Sequence, residues 1–131
     1  MTIAIDFDGV IHWYRDGYRK GEIYDDPIPG SFDFIRDCLH LRGWSVAIFS
    51  TREPKQILDW LVEQFQIHGY ENLPCKVMQP NERFWNSKSV IGITNRKIAA
   101  HVYLDDRGLR FEGRFDGLLD HIAQLQTWQG K

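Results

Sequence analysis

Apolar and polar residues are arranged in blocks along this chain, and the blocks end in revealing places. Ile3-Ala4-Ile5 is an unbroken apolar run, the pattern of a strand buried on both faces of a parallel sheet. It opens directly into Asp6-Phe7-Asp8-Gly9. Aspartate is a poor strand former, so Asp6 and Asp8 are expected where the strand leaves the sheet, with Gly9 allowing a tight turn. Residues 12–29 lack a helical period and contain two glycines and two prolines, which reads as an irregular flap or small hairpin turning near Asp16-Gly17. Ser31 is the expected N-cap of a helix ended by Gly43. Its apolar face is Phe32, Ile35 and Leu39, with Phe34, Cys38 and Leu41 as further candidates. Residues 44–49 form a second strand that runs into Ser50-Thr51-Arg52. Pro54 suits the first turn of the next helix, in which Ile57, Leu58, Leu61, Val62 and Phe65 recur at helical spacing up to Gly69.

Later segments carry weaker patterns. Residues 75–78 are a short third strand by position, and residues 79–89, polar with Phe84 and Trp85 inserted, read as a loop near the site. Residues 95–100 are expected to form a helical turn feeding a fourth strand, residues 101–104, which ends in Asp105-Asp106. Residues 109–111 are a candidate fifth, edge strand. A last helix is expected over residues 115–128, with Phe115, Leu118, Leu119, Ile122 and Leu125 facing inward. Strands alternating with helices predict right-handed βαβ units and an α/β fold. It is expected to be a three-layer Rossmann-like sandwich with a mainly parallel sheet of about five strands and helices on both faces. In such a sheet the strand ends carrying Asp6 and Asp8, Ser50, and Asp105 and Asp106 meet on one edge, where ligands bind in open α/β sheets.

Composition narrows the class without naming a chemistry. The 131 residues are enough for one domain, and 43% hydrophobic with 26% charged residues is ordinary for a globular protein. A net charge of −2 argues mildly against tight non-specific nucleic-acid binding. No apolar stretch approaches the ~20 residues of a membrane span, and Asp6 and Asp8 interrupt any signal-peptide pattern. Cys38 and Cys75 match no metal spacing and are expected to be reduced residues of a cytoplasmic protein.

Four converging carboxylates, Asp6, Asp8, Asp105 and Asp106, repel one another unless protons or a cation compensate. An all-oxygen set with room for water and phosphate suits Mg²⁺, and the five histidines show no zinc-ligand spacing. Lys97 and Ser50 would neutralise and hydrogen-bond a phosphoryl oxygen, with Arg52 and the Thr51 N–H as further donors. Trp13, Tyr14 and Arg15 belong to a flap segment, residues 12–20, with a local charge of +2. Such a flap suits a phosphorylated ligand with something to stack on. The alternative for that segment is a surface ribbon whose aromatics pack on the core. Each of the other residues alone has an ordinary structural role as well.

Taken together, Asp6-Phe7-Asp8-Gly9-Val10, Phe49-Ser50-Thr51-Arg52, Lys97 and Tyr103-Leu104-Asp105-Asp106 resemble the four ordered motifs of the haloacid dehalogenase superfamily. The resemblance implies that Asp6 is a nucleophile forming an aspartyl-phosphate and that Asp8 is a general acid/base. It implies that Ser50 and Lys97 hold the phosphoryl group. Asp6, the Phe7–Asp8 main chain and Asp106 would hold Mg²⁺, with Asp105 a direct or more distant ligand. Aspartate at both positions of the first motif resembles the phosphatases of that family more than its dehalogenases. The helix between Lys97 and Asp105 would be about two turns. The interval from Gly9 to Ser50 and that from Arg52 to Lys97 leave no room for a cap domain. An uncapped site is covered by another subunit, by the substrate, or not at all. It favours phosphate displayed on something large, such as a nucleic acid end or a protein, while a nucleotide or sugar phosphate under the flap also fits. A phosphotransferase, or a weakly active phosphate- or nucleotide-binding module, are the alternatives.

Overall fold

The computed structural model defines the fold over residues 1–125. The elements are β1 (Thr2–Asp6), α1 (Ser31–Arg36), which continues as a wider π-type turn over Asp37–Leu41, β2 (Ser45–Phe49) and α2 (Pro54–His68). They are followed by β3 (Cys75–Val77), β4 (Ile91–Thr94), β5 (Val102–Leu104) and α3 (Leu118–Gln124). The five strands form one sheet in the order β3-β4-β2-β1-β5, every pair parallel. The chain is thus an α/β protein with a small Rossmann-like fold, and the described residues include no cap domain. No helix among the described residues is long and apolar enough to cross a membrane.

That strand order determines what covers each face. From β1 to β2 and on to β3 the chain moves one way across the sheet, and from β3 to β4 to β5 it moves back. Right-handed crossovers then put the first two connections on one face and the last two on the other. The packing agrees. Ile3, Ile5, Val46, Ile48, Ile91 and Ile93 pack with Phe32 and Ile35 of α1 and Ile57, Leu61 and Phe65 of α2. Each fully buried side chain of this size contributes about 1.5–3 kcal/mol. On the opposite face Ala47 is covered by Met78, Trp85 and Ile98, which lie in irregular segments. The expectation of helices on both faces therefore holds for one face alone among the described residues.

Trp85 lies flat on Gly92: a Cβ at that glycine would be 2.7 Å from the ring. The indole is anchored by Nε1–H donating to the Val90 carbonyl at 2.9 Å. Gly92→Ala should therefore overpack this face and cost about 1–3 kcal/mol in urea unfolding. An unchanged midpoint would mean that the indole moves aside freely.

Several expected elements differ. β4 was hidden because Gly92 breaks a four-residue run; it lies between β3 and β2 and brings the sheet to five strands in place of residues 109–111. Residues 109–111 are not a strand and their side chains are exposed. Residues 95–100 are not a helical turn but a connection that buries Ile98; the Ala99 N–H bonds to Arg83 rather than within a helix. Gly30, with φ 86°, occupies the N-cap position expected for Ser31, whose buried hydroxyl has no hydrogen-bond partner among the described residues. Cys38 joins the core, whereas Phe34, Leu41 and Val62 are exposed. The last helix begins at Leu118, because Gly117 at φ 71° interrupts the backbone. Phe115, Leu119, Ile122 and Leu125 face outward rather than inward, at 47–81% exposure, and Leu118 is half-buried. Its expected end at Trp128 lies outside the described residues. β5 is also exposed along its length.

The flap over residues 12–29 has no helix and no named strand. Its base is closed by the Trp13 N–H to Asp26 and the Ile28 N–H to Ile11, at 3.0 and 2.7 Å. At its tip the Gly17 N–H returns to the Tyr14 carbonyl. Arg15 binds Asp25 through two side-chain hydrogen bonds, of 3.1 and 2.6 Å.

Candidate active site

β1 pairs with β2 on one side and β5 on the other, with Asp6 opposite Phe49 and Ile5 opposite Leu104. The carboxyl ends of these three strands therefore share one edge. Beyond Asp6 the chain reverses tightly. The Phe7 carbonyl accepts the N–H groups of Ile11 and His12, and Gly9 sits at φ 88°. This turn folds His12 back over Asp8.

Asp8 is held from two sides. His12 Nδ1 lies 2.8 Å from Asp8 Oδ1, and Arg52 Nε donates to Oδ2 at 2.8 Å. His12 is fully buried, and its Nε2 accepts the Asp25 N–H at 2.9 Å. A ring nitrogen that accepts cannot carry the proton, so the proton is on Nδ1 and points at Asp8. Arg52 also donates to the flap carbonyls of Gly21 and Glu22 and lies over the Tyr14 ring. Burial raises the Asp8 pKa, but the hydrogen bonds from His12 and Arg52 outweigh it and bring the pKa below the ordinary aspartate value.

Asp6 is the opposite case. Burial, with smaller contributions from Asp106, Asp8 and Asp105, raises its pKa to about 7, although its Oδ1 accepts the Phe7 N–H at 2.9 Å. An acid whose pKa is higher in the folded chain binds more protons there than when unfolded. In chelator, stability should accordingly fall as pH rises from about 4 to about 7. Melting temperatures across that range should show the decline in the wild type and flatten in Asp6→Asn.

Two adjoining cavities share Asp6, Phe49 and Arg107. The smaller, about 250 Å³, is also lined by Asp8, Tyr14, Ser50 and Thr51. The larger, about 510 Å³, adds Lys97, Tyr103, Leu104 and Asp105. Ser50 is buried, and its Oγ accepts the Arg52 N–H at 3.2 Å. Lys97 Nζ lies 5.4 Å from the Tyr103 ring centre. Asp105 Oδ1 accepts the N–H groups of Arg107 and Gly108, forming the turn that follows β5.

Of the residues singled out in the sequence, Asp6, Asp8, Tyr14, Ser50, Thr51, Lys97 and Asp105 line these cavities. The charge of Asp106 reaches Asp6. Trp13 and Arg15 line neither cavity; Arg15 stacks over Trp13 and binds Asp25. Arg52 is engaged with Asp8 and the flap. His12 and Arg107 were not anticipated. The signal for His12 was its position four residues after Asp8, and Arg107 stands two after Asp105. Among the described residues no group of three or more His, Cys, Asp or Glu side chains is gathered into a metal cage. Asp8 has both oxygens engaged, and Asp105 serves its own turn through Oδ1. Asp106 contributes the largest of the like-charge effects on Asp6. Carboxylates of this kind, completed by water and phosphate oxygens, make up the sort of donor set that Mg²⁺ accepts. No family model, curated protein or solved structure matches this chain.

Proposed function

We propose that the protein is a Mg²⁺-dependent phosphomonoester hydrolase working through an aspartyl-phosphate on Asp6. The observation that carries this reading is the convergence at one sheet edge of Asp6, Asp8 and Ser50, with Lys97 and Asp105 in the adjoining cavity. A carboxylate oxygen of Asp6 attacks phosphorus as the ester P–O bond breaks, and the departing oxygen takes a proton from Asp8. Water then attacks the same phosphorus, the Asp6–phosphorus bond breaks, and the water's proton goes to Asp8. The net change is ester plus water to alcohol plus phosphate. Ser50 and Lys97 hold and neutralise the phosphoryl oxygens. Asp6, Asp106 and the main chain at Phe7–Asp8 would hold Mg²⁺, which when bound would supply further charge neutralisation. In the present arrangement Asp8 is set for its role as base. Its role as acid requires Arg52 to loosen its hold.

That hold favours one second reading, a phosphate- or nucleotide-binding module with little turnover, since both Asp8 oxygens are engaged. The open site fits a nucleotide, a nucleic acid end or a phosphoprotein, or a homo-oligomer in which a second subunit covers it. The free cysteines suit a reducing cytoplasm. An acid quench with a labelled phosphodonor in Mg²⁺, with and without alcohol acceptors, separates the readings. Label trapped on protein and released as phosphate supports the hydrolase. Transfer to the alcohol indicates a phosphotransferase. Binding with neither leaves the module.

A further inference from the structure

The larger cavity has a floor and a rim of different chemistry. Tyr103 pairs with Ala4, and Ala4 with Ala47, so all three lie on the sheet face away from α1 and α2. Met78, Trp85 and Ile98 cover that face at Ala47. At Ala4 and Tyr103 the cavity takes their place, and its apolar floor is completed by Phe49, two residues beyond Ala47 on the same face. Cations stand at its rim. Lys97 lies over the Tyr103 ring, while Arg107 stands where the two cavities join. The Arg107 charge also reaches the Tyr14 phenol across the smaller cavity. Arg52 is turned onto Asp8, whereas the Arg107 guanidinium has no carboxylate partner among the described residues. Arg107 is therefore the arginine that faces an incoming anion.

We propose that this cavity is a leaving-group subsite selecting a nucleoside: its ring system rests on the Tyr103 floor while Arg107 steers the phosphate over Asp6. The inference rests on the reading of Asp6 as the phosphoryl acceptor. A volume of about 510 Å³ lies within the range of small-ligand sites, and an apolar floor with a few placed charges is their usual composition. Stacking on an aromatic floor tolerates every base, so discrimination is expected between nucleosides and small alcohols rather than among bases. A free nucleotide and the 5′ end of an oligonucleotide present the same chemistry to this floor.

The test is calorimetric binding in Mg²⁺ of adenosine 5′-monophosphate, glycerol phosphate and a 5′-phosphorylated oligonucleotide, with phosphate release followed in parallel. The wild type should bind the nucleotide about tenfold or more tightly than glycerol phosphate. Tyr103→Ala should remove most of that difference, and Tyr103→Phe should keep it. Arg107→Gln should weaken both small ligands. Tighter binding of the oligonucleotide than of the free nucleotide would identify a nucleic acid end as the source, and equal or weaker binding a free nucleotide. Equal affinities for nucleotide and glycerol phosphate, no binding of either, or a preference that survives Tyr103→Ala would overturn the subsite. Preferential binding without phosphate release would keep the subsite and remove the hydrolase reading. Release from both small esters without preference would do the reverse.

Discussion

Asp6→Asn is expected to leave the fold intact and to reduce phosphate release to assay background. An amide is a poor nucleophile, and removing the nucleophile of a covalent mechanism costs on the order of 10⁶ in kcat. The same substitution removes a half-buried carboxylate whose charge is disfavoured by desolvation and, less strongly, by Asp106, Asp8 and Asp105. In chelator near pH 8 the variant should therefore melt at a higher temperature than the wild type. Lower activity with higher stability separates a lost reaction from a damaged fold. Near-normal turnover by Asp6→Asn would remove the covalent mechanism.

Arg52→Met is expected to have the largest effect on stability. The Arg52 side chain is 9% exposed and that of Asp8 is 23% exposed. Removing one member of a largely buried pair costs about 3–5 kcal/mol, and the lower end applies here because Asp8 is partly exposed and keeps its His12 hydrogen bond. For a domain of this size the melting temperature should fall by roughly 10 °C. Arg52 also ties down the Gly21 and Glu22 carbonyls. Limited trypsin digestion should then cut sooner at Arg15, Arg19 and Lys20. Asp8→Asn combined with Arg52→Met should cost less than the sum of the two single changes, because they share one interaction. Strict additivity and a loss below about 1 kcal/mol would indicate a solvated surface contact instead.

The sheet edge was legible in the sequence because buried parallel strands and catalytic strand ends leave contrasting patterns. Ile3-Ala4-Ile5 before Asp6, and Val46-Ala47-Ile48-Phe49 before Ser50, place those polar residues without a structure. The second half of the chain was less legible for physical reasons. Gly92 makes β4 look broken, yet it is the residue that lets Trp85 lie against the strand. Periodicity in residues 115–125 marks a face that would suit burial but says nothing about what it meets. Phe115, Leu119, Ile122 and Leu125 are exposed, and β5 is an outer strand of the sheet. Within the site, charge alone assigned Arg15 and Arg52 to the ligand. Their partners Asp25 and Asp8 are ten and 44 positions away in the chain, at distances that no local pattern reports.

The Asp25 N–H that fixes the His12 tautomer has a consequence for how this chain tolerates change. Every residue except proline supplies a backbone N–H at position 25, so any other substitution there leaves the proton on His12 where it is. Insertion or deletion is different. An added residue at the tip near Gly17 is absorbed by an exposed turn, whereas one between Asp25 and Pro27 shifts the amide and unpairs Nε2. Variation in flap length should thus accumulate at the tip and be rare at the base, even though neither Gly17 nor Asp25 lines a cavity of the site.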